Sequence, residues 1–394
     1  MRILVAHNFY QLPGGEDRVF ASEKELLVRN GHEVVEYVRR NSEISDGGLV
    51  GHAMLPARSL WNWETYADLH KIICEFRPHI AHFHNPLPLI SPSAYSACWR
   101  AGIPIVQSLH NWRLICPVGS LIYQNHHCEE CVGKIIPLPG ILRGCYRGSC
   151  LQTAMIGLIT AAHHTWARKI ARYIAFTSEF KNKLVDAGYP ASRIAIKPHF
   201  VDDPGLGSRC GGYTLYAGRF SSEKGLPTLL KAWKMLPGRN LVLCGAGPLE
   251  NEVRQFAQAN PQTVSLYPHL PYDELEYILK KAQFLVWPSE WLETFGLIAL
   301  EAMASGVPVI SSDMKSAAHL VVDGQTGLNF LCGDAADLAI KIRWAYEHPA
   351  EMDAMGQRAR QKYLDNYTPE KNYVQLLNIY QEAIRQLEES KRSK

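Results

Sequence analysis

The sequence predicts an α/β protein with two doubly wound parallel sheets that face a central cleft. Short β-rich runs alternate with amphipathic helical patterns along most of the chain, which is typical of parallel sheets with crossover helices. The alternation stops at residues 201–212, which are rich in Gly, Pro and Asp, and then starts again. A length of 394 residues also exceeds what one ordinary core holds. These three observations favour two domains.

Each half of the chain has its own series of elements. Residues 1–200 contain the strand-like runs RILVAH, EVVEYV, HIAHFH, PIVQSLH and YIAFTS, and the helical runs GEDRVFASEKELLVRNG and SAYSACWRAG. Residues 201–372 contain the strand-like runs YTLYAG, NLVLCG, VSLYP, FLVWPS and PVISS, with helical runs between them. Residues 373–394 continue a charged helical pattern. Because open α/β sheets bind ligands at the carboxyl ends of their strands, the strand-to-helix junctions are where a site is expected.

The composition restricts the class of protein. A formal charge of +3, with 47% hydrophobic and 20% charged residues, indicates a globular protein and excludes a general nucleic-acid binder. The apolar run at the N terminus is too short for a signal peptide. The run AMIGLITAA at residues 154–162 is shorter than the roughly 18 residues that span a bilayer. We therefore expect a cytoplasmic protein whose ten cysteines stay reduced.

One stretch of the first half is strongly basic. Residues 132–178 contain no Asp or Glu, and their cations are Lys134, Arg143, Arg147, Arg168, Lys169 and Arg172. A basic, partly apolar stretch of this kind suits peripheral association with an anionic membrane, such as the inner face of the plasma membrane. A solvated basic face is the alternative.

Two glutamates stand in the apolar run ETFGLIALEAMASGVPVI. Glu293 precedes the predicted helix, and Glu301 lies inside it. Carboxylates accept hydrogen bonds from vicinal sugar hydroxyls, and the first N–H groups of the helix, around Phe295, Gly296 and Leu297, favour an anion. The combination suits a phosphorylated sugar. The alternative is that Glu293 compensates the helix dipole and Glu301 lies on the surface.

Two cations follow the first strand of the second half. The run AGRFSSEKG places Arg219 and Lys224 in a loop before a helix that begins near Leu226, with no acidic cluster obvious beside them. Such a pair suits a diphosphate and would act as Mg²⁺ does elsewhere. A solvated pair of cations is the alternative.

Two junctions of the first half add candidates. In LPGGED, Gly15 lets the backbone approach a ligand closely, although a simple turn would look the same. In SLHNW, His110 follows a strand and would reach a sugar hydroxyl or a developing charge. A histidine of the core is the alternative.

Together these motifs resemble the retaining nucleotide-sugar glycosyltransferases of family 4. The resemblance covers nearly the whole chain, and GRFSSEKG and ETFGLIALEAMASGVPVI, the E-x7-E signature, are its most specific parts. It implies the GT-B fold of two Rossmann-like domains, with the donor held mainly by the second domain. It also implies a C-terminal helix that returns to the N-terminal, acceptor-binding domain.

The resemblance assigns roles to the candidates. Arg219 and Lys224 would bind the diphosphate, Glu293 the hydroxyls of the donor sugar, and Glu301 the ribose. The remaining donor contacts it implies are Gly15 near the phosphates, His110 by the sugar, and Leu270 in the base-binding loop, where Pro268 replaces a common glycine.

The predicted activity is retaining, metal-independent transfer of a hexose, with UDP-glucose as the first choice of donor, to a glycan or lipid-linked glycan in polysaccharide biosynthesis. No D-x-D cluster is present to hold a divalent metal, and no cofactor is expected. UDP-galactose, UDP-GlcNAc, GDP-mannose and an inactive scaffold that binds sugar nucleotides stay open. A dinucleotide site of an NAD-dependent oxidoreductase in LVLCGAGPLE is disfavoured, since Glu250 stands where the third glycine belongs.

A cluster of cysteines lies in the middle of the first half. A C-x2-C pair at its centre is typical of zinc ligands, while buried free thiols are the alternative. The five cysteines are Cys116, Cys128, Cys131, Cys145 and Cys150.

Overall fold

The computed structural model describes residues 1–10, 14–46, 48–124 and 126–392. The chain forms two compact units. The N-terminal unit comprises Met1–Pro198 and Asn372–Lys394, and the C-terminal unit comprises His199–Lys371. Each unit contains a six-stranded sheet in which every strand pair is parallel. The prediction of two parallel α/β sheets is therefore confirmed.

The sheet of the N-terminal unit has the strand order β2-β1-β3-β4-β7-β8. Its central strands β1, β3 and β4 are mostly apolar and almost wholly buried, because both faces of the sheet are covered there. The strands are β1 Arg2–Phe9, β2 Glu33–Arg40, β3 Ile80–Phe83, β4 Ile105–Ser108, β7 Arg172–Ala175 and β8 Ile194–Ile196. A separate antiparallel hairpin consists of β5 Ile122–Tyr123 and β6 His126–His127.

The helices of this unit connect the parallel strands. In the first helix, Val19, Phe20, Leu26 and Leu27 are buried as their helical spacing predicts, and the helix ends before Gly31, whose φ is +77°. The three helices between β2 and β3 were not among the predicted elements. The helices are α1 Gly15–Arg29, α2 Ser42–Asp46, α3 Gly48–Leu60, α4 Trp63–Phe76, α5 Ser93–Arg100, α6 Leu138–Leu142, α7 Cys150–His164 and α8 Ser178–Asp186, with a 3₁₀ turn at Ala191–Arg193.

The C-terminal unit repeats this architecture, with the strand order β11-β10-β9-β12-β13-β14. Its core joins the apolar faces of the helices to the buried sheet. The strands are β9 Tyr213–Ala217, β10 Asn240–Cys244, β11 Val264–Tyr267, β12 Phe284–Trp287, β13 Val309–Ser312 and β14 Gly327–Phe330. The helices are α9 Leu226–Trp233, α10 Glu250–Ala259, α11 Tyr272–Lys281, α12 Leu297–Ala304, α13 Ala335–Glu347 and α14 Pro349–Asn366, with a 3₁₀ turn at Ser222–Lys224.

The last helix, α15 (Pro369–Arg392), brings the chain back to the N-terminal unit from Asn372 onward. Its buried residues include Leu376, Tyr380 and Ala383. The Tyr380 hydroxyl lies 2.7 Å from His82 Nδ1 at the end of β3. Within the described residues, no helix is both long and apolar enough to cross a membrane.

Candidate functional site

The candidate residues of the C-terminal unit lie in loops at one edge of its sheet. All strands of this sheet are parallel, so the loops that follow β9, β11 and β12 leave from the same edge. Arg219 and Lys224 follow β9, Leu270 follows β11, and Glu293 follows β12. Helix α12 then begins after Gly296 and carries Glu301.

The loop that carries the two cations is held by its backbone. Phe220 is fully buried, and its N–H donates to the Ala246 carbonyl at 2.9 Å. The Tyr216 hydroxyl donates to the Arg219 carbonyl at 2.8 Å. The Arg219 side chain itself stays exposed, and Lys224 ends the 3₁₀ turn immediately before α9. The two cations therefore stand on a fixed loop at the start of a helix, as predicted.

The neighbouring loop after β10 explains the glycines of LVLCGAGPLE without a dinucleotide. A Cβ atom at Gly247 would lie 2.5 Å from the Phe220 carbonyl oxygen and 2.8 Å from the Phe220 nitrogen. Only glycine allows the two loops to pack so closely. Gly247 thus allows the loop after β10 to pack against the loop that carries Arg219 and Lys224.

Lys224 and Glu293 form a direct ion pair. Lys224 Nζ lies 2.6 Å from Glu293 Oε1, and the Ser289 hydroxyl donates to the same oxygen at 2.8 Å. Lys224 also lies 4.8 Å from the centroid of the Trp291 ring, a cation–π distance. The glutamate beside Lys224 comes from the loop after β12, the strand next to β9 in the sheet, rather than from the cations' own loop.

Helix α12 buries its glutamate. Glu301 is 5% exposed, and Glu293 is 7% exposed, so the surface alternative for Glu301 is excluded. Gly296 has a φ of +106°, and a Cβ atom there would lie 2.4 Å from the Trp287 ring, which explains the glycine. Phe295 is buried beside it, while Leu297 is half-buried in the first helical turn. The first N–H groups of α12 have no carbonyl partner within the helix.

The loop predicted to bind the base follows β11. Leu270 is half-buried, and His269 is exposed. Helix α11 begins two residues after Leu270. Pro268 has no backbone donor.

At the corresponding edge of the N-terminal unit, His110 follows β4 and stacks on a second histidine. The ring planes of His84 and His110 differ by 19°, and His84 Nδ1 lies 3.1 Å from His110 Nε2. His84 is buried and follows β3. Its Nε2 lies 3.5 Å from Glu23 Oε1 in α1. His110 was a candidate from the sequence, but its connection to Glu23 through His84 was not predicted.

The negative charge on Glu23 determines which ring nitrogens of His84 and His110 donate and which accept hydrogen bonds. Burial would raise the pKa of Glu23, but Lys197 at 2.7 Å, together with His82 and His84, holds that pKa well below its usual range. Burial lowers the pKa of His84 to about 3, with the neighbouring His82 adding to the effect. A neutral His84 whose Nε2–H faces an ionised Glu23 presents the Nδ1 lone pair to His110. His110 then donates through Nε2.

A further carboxylate at this edge was missed from the sequence. Glu16 accepts hydrogen bonds from Asn85 at 3.1 Å and from Asn111 at 3.4 Å. Burial and the nearby Asp17 raise the pKa of Glu16 to about 7. Gly15, the predicted phosphate contact, is exposed at the start of α1, and Leu12 and Pro13 of its motif lie outside the described residues.

Comparisons with known proteins extend over both units. A family model described as "Glycosyltransferase Family 4" matches residues 13–203, and one described as "Glycosyl transferases group 1" matches residues 211–362. The D-inositol 3-phosphate glycosyltransferase of Arthrobacter sp. (strain FB24) is 26% identical over 378 residues, which cover 88% of this chain and 85% of that protein.

Two other similarities are more limited. The glycogen synthase of Mycobacterium tuberculosis (strain CDC 1551 / Oshkosh) is 32% identical over 159 residues, so that the match spans 39% of this chain and only 38% of that protein's length. The crystal structure of Anabaena Alr3699/HepE in complex with UDP-glucose has a TM-score of 0.65 and 16% identity, with both chains covered completely. This likeness shows the same fold.

Proposed function

Because the chain belongs to the family 4 glycosyltransferases, with the GT-B fold of their solved structures, we propose that it transfers a hexose from a nucleotide sugar to a glycan acceptor. UDP-glucose is the first candidate donor, and it is the ligand bound by the Anabaena protein of the same fold. The observation that carries the proposal is the ion pair of Lys224 and Glu293, 2.6 Å apart, at the carboxyl edge of a parallel sheet beside the start of α12.

The electrostatics of this edge suit a nucleotide diphosphate. Arg219, Lys224 and the N–H groups at the start of α12 offer positive charge and donors where the leaving group would develop negative charge. Glu293 accepts hydrogen bonds from the hydroxyls of the donor sugar, and Glu301 accepts them from the hydroxyls of the ribose. No divalent metal is required in this scheme, because the two cations neutralise the diphosphate.

We assign the transfer a retaining, front-face course. The bond between the anomeric carbon and the phosphate oxygen breaks, and the acceptor oxygen bonds to the same face of that carbon. The departing phosphate oxygen takes the acceptor's proton. The family resemblance assigns His110 to the donor sugar, and its Nε2 lies 3.1 Å from His84 Nδ1.

The direct test is nucleotide release from UDP-, GDP- and ADP-sugars, measured with the full chain in the presence of EDTA and a mixture of lipid-linked and free glycan acceptors. Release from UDP-glucose alone supports the donor assignment and metal independence. Release from another donor alone replaces UDP-glucose. Tight nucleotide binding without release from any donor overturns transferase activity in favour of an inactive scaffold.

We also propose that the acceptor is lipid-linked and that the chain binds an anionic membrane surface. Several large apolar side chains around α6 and α7 are more than half exposed, within the stretch that lacks acidic residues. Such apolar side chains with cations between them suit the boundary between headgroups and acyl chains. The apolar–basic surface consists of Ile135, Ile136, Leu138, Leu142, Leu151, Lys134, Arg143 and Arg147.

Co-flotation with vesicles tests this surface. We expect binding to vesicles containing phosphatidylglycerol and little binding to pure phosphatidylcholine. Leu142→Glu with Leu151→Glu should abolish flotation, whereas Ile340→Glu, at an exposed apolar residue of α13 in the other unit, should not. Equal flotation of all three proteins would reject this surface as the binding site.

A further inference from the structure

The cysteine-rich segment, residues 116–150, forms an excursion of the N-terminal unit between β4 and α7. It contains the β5–β6 hairpin and α6. Four of its five cysteines, Cys116, Cys128, Cys131 and Cys145, line a single cavity of about 20 Å³. Cys150, the fifth cysteine of the segment, is exposed at the start of α7, and its Sγ faces the Leu142 carbonyl at 3.7 Å.

Three separate turns direct the four thiols toward this cavity. Cys116 closes a turn by donating its N–H to the Trp112 carbonyl at 2.9 Å. Cys128 leaves the hairpin with its N–H bonded to the Leu121 carbonyl at 2.8 Å, and a turn brings Cys131 back beside it. Cys145 follows α6, with its N–H bonded to the Gly140 carbonyl at 3.0 Å. Four cysteine ligands from three turns, of which Cys128 and Cys131 form a C-x2-C pair, are typical of a structural zinc site.

The space between the thiols suits one small occupant. A cavity of about 20 Å³ holds about one water-sized atom. Gly140 packs against Cys131, and a Cβ atom at position 140 would lie 3.2 Å from the Cys131 sulfur. A larger residue there would push the sulfur out of place, so the wall of the cavity is fitted to the thiol.

The chemistry of these donors selects a soft divalent ion. Thiolates bind Zn²⁺ tetrahedrally at about 2.3 Å. Arg143 Nη1 approaches the Cys128 sulfur at 3.9 Å. In the described part of the chain, the sulfurs of no three cysteines lie within 4.8 Å of one another, so binding would draw the turns inward.

We propose that Cys116, Cys128, Cys131 and Cys145 bind one zinc ion, which holds the excursion together. The ion is structural, and none of its four ligands is a residue assigned to glycosyl transfer. The proposal is independent of the proposed function, because its readouts are metal content and stability rather than turnover.

The test is elemental analysis of the full chain, purified under reducing conditions without metal-affinity chromatography. We expect about one zinc per chain. Cys131→Ser should remove most of it, and Cys150→Ser, a cysteine of the same segment outside the cavity, should keep it. A wild-type chain without zinc, or equal loss in both variants, would overturn the proposal.

Two measurements on the wild-type chain cover the case in which Cys131→Ser does not fold. Replacement of zinc by Co²⁺ should give the charge-transfer absorption of cobalt thiolates, and a strong zinc chelator should lower the melting temperature by several degrees. An unchanged melting temperature after complete removal of the metal would contradict a structural role. Disulfide bonds among the four cysteines, detected after alkylation of the non-reduced protein, would overturn the site.

Discussion

Each unit contains a glutamate paired with a lysine, and the two pairs differ mainly in their access to solvent. Glu23 and Lys197 in the N-terminal unit lie 2.7 Å apart, with side chains 2% and 1% exposed. Glu293 and Lys224 in the C-terminal unit lie 2.6 Å apart, with side chains 9% and 26% exposed. The N–O distances of the two pairs are nearly the same, so their different burial must account for any difference in their roles.

The buried pair is enclosed by partners from distant parts of its unit. Lys197 also donates to the Asn372 side chain at 3.0 Å, and Glu23 faces His82 and His84. The pair therefore ties α15 and α1 to the sheet. The open pair lies beside a helix start, where a ligand can reach it. We therefore expect the first pair to stabilise the fold, and we propose that the second binds substrate.

The largest effect on stability is expected at the buried pair. Lys197→Met leaves Glu23 charged and without its closest cation, which should lower the free energy of unfolding by about 3–5 kcal/mol. Denaturant titration measures this loss. The double variant Glu23→Gln with Lys197→Met should recover much of it, because neither charge is then buried. A loss below about 1 kcal/mol in the single variant would show that the pair does not stabilise this unit.

At the open pair the effect should fall on activity. Lys224→Ala removes a cation from the developing negative charge, so kcat should fall by about 10²–10³-fold, or roughly 3–4 kcal/mol. The free energy of unfolding should fall by only about 1–2 kcal/mol, because Lys224 is a quarter exposed. Glu293→Ala should lose activity similarly. Wild-type turnover in either variant would contradict their assignment.

Glu16 offers a pH-dependent contrast with the ionised Glu23. Its pKa in the folded chain is about 7 against an ordinary value of 4.5, so between these values the folded state holds a proton that the unfolded state has lost. Stability should therefore fall as pH rises from 4.5 to about 7. Relative to wild type, Glu16→Gln should gain about 2 kcal/mol across this window, after allowance for partial exposure. Parallel stability curves for the two proteins would refute the raised pKa.

The smallest effect is expected at an exposed pair of the same kind. Lys24 and Glu36 lie 2.9 Å apart, but their side chains are 35% and 40% exposed. Lys24→Ala should change the free energy of unfolding by no more than about 0.5 kcal/mol and leave activity unchanged. A loss comparable to that of Lys197→Met would show that exposure does not govern these pairs.

The sequence predicted what depends on neighbours along the chain. The helix at Leu226, the loop with Arg219 and Lys224, and the start of α12 after Gly296 all follow from local spacing and turn residues. The pairing of Lys224 with Glu293 could not be predicted, because it joins residues 69 positions apart through adjacent strands.

The Glu23 network was missed for a related reason. Glu23 stands among charged residues in ASEKELL and looks like part of a solvated helix face. Its partner Lys197 lies 174 residues away. One signal was available: in HIAHFH, His82 and His84 alternate at the end of a buried strand, so both point to the same side of the sheet.

The role of the open pair in nucleotide binding is measured by calorimetry of UDP and UDP-glucose in EDTA, with the wild-type chain, Lys224→Ala and Lys24→Ala. We expect binding by the wild-type chain, equal binding by Lys24→Ala, and at least about 10-fold weaker binding by a folded Lys224→Ala, or about 1.4 kcal/mol. Equal affinity of all three proteins would contradict the claim that the open pair holds the nucleotide sugar.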